Sequence, residues 1–395
     1  MVKPPDDRFS SRRIRQHAQQ FGDAARLLER EREEAATAVP RILAATERAN
    51  IPALVERPEL RTCGAVDRLA KILSAELTND PVYAEALARL AVALVDVLPP
   101  IYSQVNIAQI RSHVWKDLGK VLSFLARQDE AIDAYDRAEA ELGDQGLEHD
   151  LAIVKLNRAI TYQEVGRYEE ALSLLTYCRE IFRDFNDVRL GKISAFYEGL
   201  LLQRMRRYRE AREIHLLLIT SNTTQIGEDT TAALHNAIGY CSIELGEFDY
   251  AEYHLSRAIT LYRSLRQPIE ALKGELGRGR LLIRRGLHQE GVAALRKVRH
   301  QFLKSSLAEE AGICGLEMVE GMLRLFLFQE AETLARTIMS EFLAAHLNAR
   351  AIEALGHLSE AIAMKQASPD MAIQVREYVL SLRTTPEREY TAAQL

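Results

Sequence analysis

The feature that most constrains this chain is a repeat, because its small residues recur at intervals of 40. Ala131 returns as Ala171, Ala211, Ala251, Gly291 and Ala331. A second series, Gly119, Ala159, Gly199, Gly239 and Gly279, keeps the same spacing and lapses only at Val319. Between them runs a third, Ala126, Gly166, Arg206, Gly246, Gly286 and Phe326, followed two residues on by Tyr168, Tyr208, Phe248, His288 and Phe328. A helix hairpin of this length cannot bury its own apolar face, so neighbouring units must stack and share one continuous core. Small residues let the paired helices approach, and large ones fill the space around the contact. Composition agrees: only 20 Gly and 11 Pro occur in 395 residues, and strong helix formers dominate.

The run Trp115-Lys-Asp-Leu-Gly119, with Leu122, Ala131, Tyr135 and Ala138 at their spacings, resembles the tetratricopeptide repeat (TPR) over about 300 residues. The resemblance implies an all-α, right-handed superhelical solenoid of antiparallel pairs, each a helix A and a helix B. The usual period is about 34. The surplus here lengthens either the helices or loops such as 183–188 and 220–225. Longer repeats are similar to those of large bacterial regulators and motor light chains.

Four segments are expected: a charged N-terminal helical arm over 1–59, broken near Pro40; a degenerate lead-in repeat over 60–111, with Ala84, Ala88 and Ala91 in its second helix; six repeats over 112–346; and a degenerate pair over 347–395 that caps the stack, ending in a frayed tail from Thr384. The lead-in Leu60-Arg-Thr-Cys-Gly64 with Asn79-Asp-Pro81, and the ending Tyr378 to Arg383 with Pro386-Glu-Arg388, resemble a bacterial subgroup that accompanies DNA-binding or signalling regulators.

A formal net charge of −5 lacks the basic surplus that phosphate backbones demand, so no direct nucleic-acid contact is expected. Cys63, Cys178, Cys241 and Cys314 lie far apart, without metal spacing, and read as reduced core residues. The N-terminus is charged where a signal peptide would be apolar, and the apolar run 87–98 is short and interrupted by Arg89 and Asp96. A cytoplasmic protein with no membrane partner is expected.

Chemical motifs are wanting. Gly274-Glu-Leu-Gly277-Arg-Gly279 reverses the dinucleotide fingerprint, and two of its glycines are repeat positions. His346 and His357 share one predicted helix with Glu353, but not at zinc-protease spacing. His215, His235 and His288 fall on packing positions. The expectation is therefore a chain that is not an enzyme and needs no cofactor or metal.

What remains is the concave face. Helix-A positions that face it in TPR proteins hold Lys116, Lys120, Asn157, Gln163, Tyr197, Arg204, Asn236, Tyr240, Lys273, Arg280 and Arg284. Amide side chains suit capture of an extended backbone, since each offers a donor and an acceptor. A carboxylate clamp of the co-chaperone kind is only half present: Lys116 and Asn157 match, whereas Lys120, Ile193 and Tyr197 do not. Two arginine clusters, 204–209 and 278–285, read either as solvated helix ends or as contacts to an acidic ligand. The sequence thus points to an adaptor or regulatory scaffold holding a protein or peptide, with self-association, if any, through the arm or terminal repeats. The alternative is a peptide-responsive sensor module of a transcription or signalling regulator, reaching DNA only through a partner.

Overall fold

A computed structural model describes residues 7–77, 79–143, 146–221, 227–382, 388 and 390. The chain divides into two compact units, Met1–Thr161 and Tyr162–Leu395. The described residues form helices and connecting turns, with no strand among them.

The first unit opens with α1 (Asp7–Ala44), two short 3-10 segments (Arg48–Glu56, Pro58–Leu60), and the pair α2 (Cys63–Glu76) and α3 (Pro81–Asp96). The pair α4 (Gln104–Phe124) and α5 (Gln128–Leu142) follows, then α6 (Glu148–Glu164), whose residues the two units share. The expected break at Pro40 does not occur: α1 continues through it. Proline removes one hydrogen bond, to the carbonyl of Ala36, and that residue is exposed, so water can replace the lost donor. Nor is α1 wholly detached, since Ala35, Val39, Ile42 and Leu43 are buried in the core with α2 and α3. Gly64 permits this approach, because a Cβ there would lie 2.4 Å from the Glu31 backbone. Glu31 itself is buried, accepting from Tyr102 Oη at 2.7 Å and from the Gly64 amide at 3.2 Å.

The second unit alternates α7 (Tyr168–Asp184), α8 (Val188–Arg204), α9 (Tyr208–Thr220), α10 (Gly227–Glu244), α11 (Phe248–Ser264), α12 (Pro268–Arg284), α13 (His288–Lys304), α14 (Ala308–Arg324), α15 (Phe328–Ala344), α16 (Ala349–Ala363) and α17 (Pro369–Ser381). From α11 to α15 each helix has 17 residues and each turn has three. The surplus over the usual period therefore went into helices. The loop expected over 183–188 is only such a turn, while 222–225 of the other expected loop, and most of the tail expected to fray from Thr384, lie outside the described residues.

The three-residue turns are built alike, and the four-residue turn before α16 follows them. The second residue takes positive φ, at Asn186, Arg206, Gly246, Arg266, Gly286, Ser306, Phe326 and His346. The next amide reaches back five residues to the helix, as in Arg207 N to Leu202 O at 2.8 Å and Leu327 N to Met322 O at 2.9 Å. This pairing satisfies carbonyls that the helix end leaves open. His346 is thus a turn residue, not a member of the helix that carries His357 and Glu353.

Packing follows the repeat. A Cβ on Gly199 would meet His215 at 2.4 Å, on Gly239 Leu255 at 2.7 Å, and on Gly279 Leu295 at 2.4 Å. At the lapse, Val319 is buried, and the residue that would oppose it in this register is Ala335, also buried. Large and small have changed places across the pair. Ala171, Ala211, Ala251 and Ala331 are fully buried, as are the four cysteines, all free.

Candidate functional site

Within the second unit, the A helices α8, α10, α12 and α14 present the positions singled out above. Tyr197 and Asn236 are half-buried on α8 and α10, and Arg204 is exposed at the end of α8. Tyr240 lies between Tyr208, at 6.0 Å between ring centroids, and the Arg280 guanidinium, 4.9 Å from its ring centre. Gln163 departs from expectation: it is buried, with its carbonyl oxygen lacking a hydrogen-bond partner among the described residues.

Arg280 and Arg284 depart further. The A-face positions of the sixth repeat hold Glu317 and Glu320, both fully buried on α14. Arg280 Nε donates to Glu317 Oε1 at 2.6 Å, and Arg284 Nη1 lies 3.6 Å from Glu320. Arg324 donates to Glu320 at 3.0 Å. Neither Arg280 nor Arg284 is a solvated helix end, and neither is vacant for a ligand. The rest of their cluster is paired too, Arg278 with Glu252 at 3.1 Å and Arg285 with Asp249. Glu317 and Glu320 are legible in the repeat, since they stand forty residues beyond Gly277 and Arg280, at A-face positions of the sixth unit.

A last helix completes the cluster. α16 packs on α15 and continues the alternation, but α17 packs chiefly on α14, more than on its own partner α16. Arg376 of α17 is fully buried; its Nη1 lies 2.7 Å from Glu317 and 3.7 Å from Glu320. Its Nη2 donates to Glu377 at 2.8 Å, and Glu377 in turn pairs with Arg206 at 3.3 Å, across 171 residues of sequence. Burial by itself would push the Glu317 carboxyl up, but Arg280 and Arg376 hold it below the usual carboxylate range. Burial likewise opposes the charge on Arg376, and Glu317 overrides it. Glu317 and Arg376 are therefore both ionised near neutrality. It holds a polypeptide helix against the A face.

In the first unit, Lys116 is paired with Asp117 at 3.0 Å and Lys120 is exposed. Asn157 donates to Ile153 O of its own helix at 2.8 Å, which occupies part of the amide meant for a ligand.

No family model matches this chain, and no curated relative does. Solved structures match by fold. A Rap protein complexed with competence and sporulation factor is 13% identical, with TM-score 0.54, over 92% of this chain and 98% of that one. Aspartyl phosphate phosphatase F from Bacillus subtilis is 12% identical, with TM-score 0.55, over 70% of each chain. A signal transduction ATPase with numerous domains and a tetratricopeptide repeat sensor, from Pyrococcus horikoshii, is 14% identical, with TM-score 0.55, over 90% of this chain and 53% of that one. The fold is the tetratricopeptide-repeat solenoid. At these identities the TPR likeness extends to the fold alone. No helix among the described residues is long and apolar enough to cross a membrane.

Proposed function

We propose that this TPR chain is a non-enzymatic regulatory scaffold that grips a polypeptide on the A-helix face of its second unit. The observation that carries this reading is the seating of α17 there, with Arg376 keyed between two buried glutamates. An amphipathic helix laid in a groove, read through anchors about one turn apart, is a recurrent mode of peptide recognition. Beside the seat, Tyr197, Arg204, Asn236 and Tyr240 offer half-exposed or exposed aromatic, amide and cationic groups for an extension of the ligand. The names of the matched structures lean the same way, one being complexed with a factor and another carrying a TPR sensor. They also support the sensor form of the reading, in which the held polypeptide is a signal.

Panning a displayed library of 15-residue peptides on the full chain tests the proposal. An enriched family should lose binding in Tyr240→Ala or Arg204→Ala and keep it in Thr333→Ala. Thr333 lines a cleft of about 550 Å³ between α13 and α15, on the B-helix side. Failure to enrich any family, or loss of binding only with Thr333→Ala, would count against the A-face reading.

A further inference from the structure

We propose that α17 is an exchangeable occupant, holding a seat that a partner's helix takes when it arrives; this rests on the A-face reading above. The partner helix would carry one arginine among small and aliphatic residues.

Three features of the seat point to exchange. Without α17 its charges remain paired, because Glu317 keeps Arg280 and Glu320 keeps Arg324 and Arg284. The departing helix is also internally paired, since Arg376 bonds Glu377. Neither surface is left with an unpartnered ion, which is the outcome that makes the opening of most buried ion pairs costly. Second, the seat is imperfectly filled. Arg376 Nε, Glu317 Oε2 and Glu320 Oε2 are buried without a hydrogen-bond partner among the described residues. A partner side chain that reached the two glutamate oxygens would gain a hydrogen bond there. Third, α17 hangs from α16 by exposed residues, Met364, Lys365 and Gln366, with Lys365 at positive φ.

The partner's chemistry follows from the resident. Met371, Val375, Tyr378, Val379 and Leu382 are buried along one stripe of α17. Arg376 follows Ala372 by one turn, and both are buried. Arg376 spreads its contacts over two nitrogens, Nη1 to Glu317 at 2.7 Å and Nη2 to Glu377 at 2.8 Å, which suits the fork of arginine better than the point charge of lysine.

The test uses a fluorescein-labelled peptide of residues 368–382 and the full chain, wild type and Arg376→Ala. In wild type the resident masks the seat. The peptide should bind the Arg376→Ala chain at least about tenfold more tightly, as expected when a competing state fills more than about nine tenths of the population. A peptide bearing the same Arg376→Ala change should not bind. Hydrogen exchange on both chains reports whether α17 has loosened while α14 stays protected; if Arg376→Ala fails to fold, Arg206→Glu loosens α17 from the rim pair instead. A loosened α17 with no peptide binding overturns the proposal, as does an α17 no looser in either variant than in wild type. Library peptides that bind wild type and Arg376→Ala equally would leave the A-face reading standing and overturn exchange alone.

Discussion

Helices α10 and α14 occupy the same place in their repeats, yet their surroundings differ. On α10 the residues Ala233, Asn236 and Tyr240 form a half-exposed stripe in a stretch, Ala232 to Ile243, that is otherwise buried. Their counterparts on α14 are Ile313, Leu316 and Glu320, and there every residue from Ala311 to Leu323 is buried. A helix buried all round must be covered on its outer stripe as well as its inner one. The repeat register decides where that stripe points. What covers it is a separate fact, supplied by α17.

The largest effect should be the same at both helices. Ala251, behind α10, and Ala331, behind α14, are fully buried. Ala→Arg at either site overpacks the pair and buries a charge, at a cost above about 4 kcal/mol. Thermal melts should show both variants unfolded or strongly destabilised, and an unchanged melting temperature in either would break the repeat register.

The outer stripes should then separate. Glu317→Ala leaves Arg280 and Arg376 buried beside an empty space, which costs about 3–5 kcal/mol. Asn236→Ala on the half-exposed stripe of α10 should cost no more than about 0.5 kcal/mol. Chemical denaturation measures both, and equal costs would mean that the cluster on α14 carries no net energy.

Acid should separate them in the opposite order. Burial pushes the His215 imidazole down to about 4, and it does the same to His235 and His254, whose Nδ1 atoms lie 2.9 Å apart. Below the unfolded value near 6.5 the unfolded chain takes up protons that the folded chain refuses, so stability falls as pH drops toward 4. For fully buried His215 the loss is on the order of 3 kcal/mol. Glu317 is held low, so its stabilisation persists above the unfolded carboxylate value near 4.3 and is lost only beneath it. Hydrogen exchange at pH 7.5 and 5 should therefore show α8 to α11 loosening while α14 and α17 hold. His215→Leu should remove much of that difference.

How much of this was legible beforehand depends on the range of each interaction. Gly199 facing His215 and Gly239 facing Leu255 are local pairings, fixed by a helix hairpin that the forty-residue recurrence displays. The seat of α17 is not local. Arg206 and Glu377 are 171 residues apart, and nothing in either stretch names the other. One clue was present: the A-face stripe of α14 reads Ile313, Leu316, Glu320, too apolar for a helix that faces water. Arg280 misled for the complementary reason, since an arginine at a groove position is the same residue whether it awaits a ligand or already holds a glutamate.

The smallest effect isolates α17 from the stability of the turns. Arg206 and Arg266 both sit at positive φ, 59° and 56°, in three-residue turns of the same geometry. A residue with a Cβ pays about 1–2 kcal/mol there, while glycine costs roughly 0.5–1 kcal/mol of extra chain entropy, so Arg→Gly should gain a few tenths to about 1 kcal/mol at either turn. Only Arg206 also pairs with Glu377, in a contact whose arginine is 64% exposed. Such a pair contributes about 0.2–1 kcal/mol and is weakened by salt. Arg266→Gly should thus raise the melting temperature slightly and leave α17 exchange unchanged. Arg206→Gly should gain less or nothing in melting temperature, while α17 amides exchange up to about fivefold faster, as loss of at most about 1 kcal/mol of local protection implies. High salt should bring wild type to the same α17 rate. Identical α17 exchange in the two glycine variants would show that the rim pair does not hold the helix, and would leave Arg376 as its whole ionic attachment.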